Sequence, residues 1–428
     1  MKIRIPVHKR LYRTTAIWAL SLCCALPAGA QYTEIHDSRI ATVRMSVAEK
    51  TGGLPVLRYG QRDLLEVSFD DLSHEYRRFT YKVEHVDADF KPEEGLFESD
   101  YVQAVGEDEV ITDYAQSMNT SVLYTHYSFT LPNAQVRPLL SGNYRLTVFG
   151  EDEEGDPTPV WHGFFYVAEN AVGILAEGTT NTEVDRNDSR QQLSLEVNFN
   201  ALAPRAAAEE LKVIVLQNNR WDNAIRAPKP TGQTGTSLLW KHSRELIFKA
   251  GNEYRKFEMP STRYPGMHID RMQYYEPFNH ARLVTDSPRK NYLFDEDQNG
   301  RFVPIADFGG DADTEADYVY VHFALETEEM PGTDLYVNGD WTYDRLTPDY
   351  RMAYNGQSGS YEISLLLKQG YYSYQYLAGP HGRRTGMTSA EGNFWQTENE
   401  YTILVYYRPA GSRYDRLVGW RTASYRPR

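Results

Sequence analysis

Hydrophobic and polar positions alternate with a period of two along most of the chain. At 317–326, Val319, Val321, Phe323 and Leu325 take turns with Tyr320, His322 and Ala324. At 191–199, Leu193, Leu195, Val197 and Phe199 face one way, Ser194, Glu196 and Asn198 the other. Residues 144–148 and 161–167 continue the pattern. Strict alternation over such spans predicts half-buried strands in antiparallel sheets. Only 206–211, AAAEEL, has helix composition, and it predicts a turn or two before a strand at 212–217. The fold class expected is all-β, a tandem of antiparallel β-sandwiches of Ig-like or early-set-like build with very little helix.

Breaks in the pattern set the expected domains. An acidic loop at 151–156 and the run Asn170-Ala171-Val172-Gly173 close a first sandwich at 31–170. GGDADTEA at 309–316 precedes a fresh strand, dividing a middle β domain at 171–312 from a C-terminal early-set-like sandwich at 313–428. In the last domain, from Leu365 to Trp420, aromatic strands alternate with Gly, Pro and Asn turns. Sixteen of the 32 tyrosines lie between Tyr318 and Tyr425. Broad amphipathic strands of this kind suit contact, so this region reads as a piece of surface.

The first 30 residues stand apart. Five Lys and Arg precede an apolar stretch from Ala16 to Leu26, and Pro27-Ala28-Gly29-Ala30 offers small residues for cleavage. This reads as a secretory signal cleaved after Ala30, too short to span a bilayer. The rival reading, a lipoprotein acylated at Cys23 or Cys24, meets the bulky Leu22 where a small residue is expected. Both cysteines lie in the leader, so an exported chain holds itself together by packing alone, in a periplasm-like compartment. Of the 45 Lys and Arg, five are in the leader, so 40 face 59 Asp and Glu, a net charge of −19. That balance argues against nucleic acid and anionic lipid as partners. No later apolar run approaches membrane-spanning length, so no direct membrane insertion is expected.

Catalytic arrangements are missing. Gly356-Gln357-Ser358-Gly359-Ser360 lacks the nucleophile-elbow spacing, and His74-Glu75 is followed by Tyr76-Arg77-Arg78 with no second imidazole one turn on. The 11 histidines are scattered, none at metal-ligand spacing. Asp295, Asp297, Asn299 and Gly300 reproduce the start of a calcium loop, but the twelfth position is Ala306. The same residues make a good turn between strands at 292–294 and 302–305, which is the expectation preferred here. A basic aromatic cluster near the C-terminus, Arg408, Arg413, Tyr414, Arg416, Trp420 and Arg421, has two readings. It either docks a partner, since Arg, Tyr and Trp are hot-spot residues, or pairs with Asp415 and pins a terminal strand.

Longer motifs carry a resemblance. Asn338-Gly339-Asp340-Trp341, Arg351-Met352-x-Tyr354, Leu367 through Tyr376, Glu391-Gly392-Asn393-Phe394 and Thr397 through Tyr401 are its core. Tyr406-Tyr407-Arg408-Pro409, Gly411 through Leu417, Gln217-Asn218-x-Arg220-Trp221-Asp222-Asn223 and Ala316 through Phe323 extend it. Together they resemble the type IX secretion system plug protein family. The resemblance implies a periplasmic, all-β, non-enzymatic protein with no catalytic residue, cofactor or small-molecule substrate. It implies a single large partner, the giant outer-membrane translocon barrel of the SprA/Sov type, closed from its periplasmic side. A narrower likeness to glycogen- and starch-binding sandwiches supplies the alternative, a cell-envelope carbohydrate-binding module. There Gln375 stands where those modules have Lys, and the later sugar-stacking Trp is missing near 379–384. Trp341 is therefore expected in a core or corner.

Overall fold

A computed structural model describes residues 31–48, 52–106, 109–382 and 388–426. Three apolar cores organise them, each between two sheets. In the first, strands Ile40–Val47, Leu65–Asp71, Thr125–Leu131 and Asp113–Gln116 form one antiparallel sheet. Gly142–Glu151 pairs with Pro157–Ala168 and Thr80–Val86 to form the other, with the short Glu34–Ile35 at its edge. Val67, Phe69 and Tyr127 meet Tyr81, Leu146, Val148 and Trp161 between them. Period-two alternation is the cause: every second side chain of a strand points to the same face.

The helix prediction and the next strand are both present, as Ala207–Glu210 running into Leu211–Gln217. The second core lies between Arg190–Asn198 with its neighbours Gly173–Thr179 and Ser237–Trp240, and a sheet built on Leu211–Gln217. That sheet is completed by Asn399–Tyr407 and Arg416–Tyr425, the last strands of the chain. The third core uses Arg255–Met259 and Gly370–Pro380 on one side. On the other it uses Ile269–Tyr275, Phe278–Leu283, Tyr318–Glu326 and Ser360–Lys368.

This pairing redraws the contiguous division expected at 171–312 and 313–428. Residues 255–283 belong with the third core, and 399–425 return to the second. Periodicity shows that Tyr401, Ile403 and Val405 share a face, but it cannot show that their partner strand lies about 190 residues earlier. The acidic run 309–316 is no boundary. It is a loop inside the third sandwich that reaches the first, where Asp313 pairs with Arg44 at 2.6 Å. Its composition mimics a linker because its carboxylates serve contacts and turns.

The aromatic C-terminal strands are also corrected: their rings are core. Tyr372, Tyr374, Tyr376, Tyr401 and Tyr406 are fully buried. A buried phenol needs a partner for its hydroxyl, and each has one. Tyr374 and Tyr376 both donate to Asp286 Oδ2, at 2.8 and 2.6 Å. Tyr401 donates to Gln191 Oε1 at 2.8 Å and Tyr406 to Asn143 Oδ1 at 2.8 Å. The last two tie separate parts of the chain together.

Where the first and third cores meet, charges are buried. Lys368 Nζ donates to Asp70 Oδ2 at 2.7 Å, with both side chains 1% exposed. Tyr318 donates to the same oxygen at 2.6 Å, His126 Nδ1 lies 2.6 Å from Asp70 Oδ1, and the ammonium sits 4.3 Å from the centre of the Tyr124 ring. Burial pushes the Asp70 carboxyl up, but Lys368 and His126 outweigh it and hold the group below the usual carboxylate range. Truncating Lys368 leaves the buried Asp70 with His126 alone in place of the ammonium. Lys368→Met should therefore cost about 3–5 kcal/mol in denaturant unfolding, and adding Asp70→Asn should recover most of it. A double variant as unstable as the single one would show that the pairing is not what matters here.

Candidate functional site

The basic aromatic cluster folds back on the first sandwich. Arg416 makes a two-pronged contact with Glu169, Nε to Oε1 at 3.0 Å and Nη2 to Oε2 at 2.7 Å, and its guanidinium lies 5.6 Å from the centre of the Tyr407 ring. Arg408 reaches both oxygens of Glu93, at 3.4 and 3.3 Å, and lies 3.6 Å from Asp415. Arg413 contacts Asp100 at 3.0 Å and the Gly95 carbonyl at 3.1 Å. Tyr414 packs edge-on against His85, and Arg421 donates to the Ile174 carbonyl at 2.6 Å. Trp420 is half-buried opposite Leu404 in the last sheet.

The backbone seals the same seam. Glu169 and Ala171 donate to the carbonyls of Leu417 and Val418, at 2.8 and 2.9 Å. Gly142 permits the close approach: at its φ of 139° a Cβ would fall 2.3 Å from His85 Nε2 and 3.0 Å from the Asp415 carbonyl oxygen. Burial drives the His85 ring down to about 4, so it is neutral against this seam. The strand-pinning reading thus describes the geometry, Arg408–Asp415 contact included. The guanidinium groups of Arg408, Arg413, Arg416 and Arg421 all have partners within the chain. Arg413 keeps 55% of its side chain exposed.

At the calcium-like segment, Gln298, Asn299 and Gly300 make the expected turn, with Asn299 at φ 52° and Gly300 at φ 91°. Phe302–Pro304 is a strand, but residues 292–294 are not. Tyr292 is instead drawn to Glu253, donating to Oε1 at 2.7 Å. Asp295 is taken up by Lys256 Nζ at 2.5 Å. The Asp297 oxygens accept the backbone N–H groups of Tyr254 and Asn299, the latter at 2.7 Å. With an ammonium on one carboxylate and amides on the other, these side chains serve the turn. Burial pushes the Asp297 carboxyl up to about 7.

Trp341 is 6% exposed. Its Nε1 donates to the Ser373 carbonyl at 3.1 Å, and its ring packs against Phe323 and Tyr372. A ring in this position cannot stack on a sugar, which removes the residue that the carbohydrate reading required. Pattern reasoning missed the buried ions Asp70, Lys368, Arg255, Asp286 and Glu391. Arg255 binds Asp286 at 2.5 Å and Glu391 at 2.7 Å. A lone charge at the end of an apolar run, such as Lys368 after Leu365-Leu366-Leu367, was the available signal.

Residues of all three sandwiches line one cavity of about 350 Å3, among them Tyr32, Tyr166, Trp221 (on Arg220–Arg226, beside Leu211–Gln217), Phe302, Tyr343 and Asp344. Burial raises the Asp344 carboxyl well above its ordinary range, and Asp340 beside it to about 6. No nucleophile–base pair accompanies them among the residues lining this cavity.

Residues 40–168 match the family described as type 9 secretion system plug protein 1st domain. A hypothetical protein from Parabacteroides merdae, known from its crystal structure, is 37% identical over 92% of this chain and 99% of its own, with a TM-score of 0.88. The chain belongs to the type IX secretion system plug protein family. Among curated proteins none matches. A collagen adhesin from S. aureus, 7% identical over 91% of this chain and 93% of its own at a TM-score of 0.12, is too remote to carry an argument. Membership makes this plug-family chain a structural component connected with type IX secretion in the cell envelope. Among the described residues no helix is long and apolar enough to cross a membrane.

Two outcomes test the site. Arg416→Ala should destabilise the protein by about 1–3 kcal/mol, and a double-mutant cycle with Glu169→Gln should show coupling of about 1 kcal/mol or more. Additive losses would deny the strap. The raised Asp297 carboxyl means that the folded state holds a proton the unfolded chain has released, so stability falls as pH rises from about 4 to about 7. Asp297→Asn should flatten that part of the pH–stability curve measured by thermal unfolding. An unchanged slope would assign it to other groups.

Proposed function

We propose that this protein is a periplasmic plug that closes the pore of a SprA/Sov-type outer-membrane translocon by steric occlusion, without catalysis. On this reading the leader is removed after Ala30, a position outside the described residues. The mature chain then sits against the periplasmic mouth of the barrel. The family match over residues 40–168 carries the proposal.

Physical considerations support it. A wide water-filled lumen leaks solutes unless a stiff body fills its mouth. Three sandwiches joined by buried ion pairs, with the last hairpin strapped across the first, resist the relative motion that would open a gap. Rigid partners also lose less conformational freedom on docking. Among the candidate docking residues Arg408, Arg413, Tyr414, Arg416 and Trp420, we carry Arg413 forward as the contact, because its side chain remains the most open to a partner.

Deleting the protein should leave cargo folding and chemistry intact while raising influx of small dyes through the outer membrane wherever the translocon is present. The purified chain should also co-isolate with the detergent-solubilised barrel, and Arg413→Ala should weaken that capture. Dye influx indifferent to the deletion in cells that carry the translocon would refute occlusion.

A further inference from the structure

Glu34, His36 and His162 lie on the outer face of the first sandwich, outside every contact invoked above. Alternation puts them there. Ile35 and Trp161, opposite one another in register, face the core, with Trp161 fully buried. Glu34 and its register partner His162 therefore face outward, and His36 follows two positions after Glu34 on the same side. His36 Nε2 stands 3.0 Å from His162 Nδ1, and the rings are tilted by 27° with centroids 5.1 Å apart. One ligand atom from each of the three residues lies within 4.8 Å of the other two.

We propose that Glu34, His36 and His162 bind one divalent transition-metal ion of the zinc class, clamping the N-terminal strand to the sheet. Two nitrogens bound to a tetrahedral zinc at its usual bond length stand about 3.3 Å apart, so these two need part by only a few tenths of an ångström as the rings turn their lone pairs toward the ion. The carboxylate of Glu34 supplies a third donor and the charge that two neutral rings lack, leaving a fourth position for water. Two nitrogens in the donor set select against calcium and magnesium.

Burial, then the charge of Arg345, lowers His36 despite Glu34, while burial, His36, Arg145 and Arg345 bring His162 down to about 4. Without the ion one ring donates its N–H to the other; binding moves that hydrogen to the donor ring's other nitrogen, so that both facing nitrogens offer lone pairs. Its consequence is local. Glu34–Ile35 is a two-residue strand, and the adjacent Gln31, Tyr32 and Thr33 line the central cavity. A clamp at Glu34 and His36 holds this segment in place beside Trp221, Tyr343 and Asp344.

The experiment is a titration of the leader-free chain with zinc alone, against a chromophoric chelator. One ion per chain should bind with a dissociation constant of about 10 μM or tighter. The exposed His36→Ala should weaken it by about 100-fold and Glu34→Gln by about tenfold. His280→Ala breaks the other close imidazole pair, His280 Nδ1 to His322 Nε2 at 2.9 Å on a different sheet, and should change nothing. Zinc should also slow amide exchange at residues 34–36. The absence of saturable binding, or binding that His36→Ala leaves untouched, overturns the proposal. Neither result bears on pore closure.

Discussion

A charge taken out of water has to be met by an opposite charge and by hydrogen bonds, or it unfolds what surrounds it. That constraint governs how the three sandwiches of this protein are joined. Asp70 on the first and Lys368 on the third are both buried, and neither is tolerable without the other. Separating the two sandwiches would part the two ions, with Tyr318 and Tyr124 losing their partners in the same step, while His126 stays with Asp70 inside the first. Apolar faces alone permit sliding. An ammonium seated between a carboxylate, a carbonyl and an aromatic face does not, so the junction has one geometry.

The junction between the first and second sandwiches follows the same logic nearer to solvent. Glu169 lies in the link between them and is held by Arg416, Ser141 and the neighbouring backbone pairing. Burial alone would raise its carboxyl; Arg416 and Ser141 keep it low. The arginines that looked like bait for a partner are used to fasten the chain's own end. What remains for recognition is what the straps leave uncovered.

How much of this was legible depends on which physical rule wrote it. Strands at 191–199 and 317–326 could be read because one buried face imposes alternation on the residues themselves. The short helix and the Asn299-Gly300 turn were legible for the same local reason. Non-local facts were not. Nothing in Tyr401, Ile403 and Val405 names Val213 and Val215 as neighbours, so the domain division drawn from composition missed the returning hairpin. Tyr372, Tyr374 and Tyr376 were read as surface because tyrosine is amphipathic. The acceptor that makes Tyr374 and Tyr376 core, Asp286, lies some ninety residues away. Family motifs reached the right family because they register the whole pattern of constraints at once, without saying which contact each residue makes.

The returning hairpin has a consequence for how the molecule comes into being. Strand Leu211–Gln217 is paired on one edge only, with Arg220–Arg226, until residues 399–407 arrive, and the face formed by Leu193, Leu195 and Val197 lacks part of its cover. A chain emerging amino end first can close its first sandwich early, yet must keep the second unfinished while the third assembles between its two halves. Completion of the second sandwich thus waits on residues 399–425. Any prematurely stopped chain displays a greasy, half-built sheet that proteases and chaperones can find.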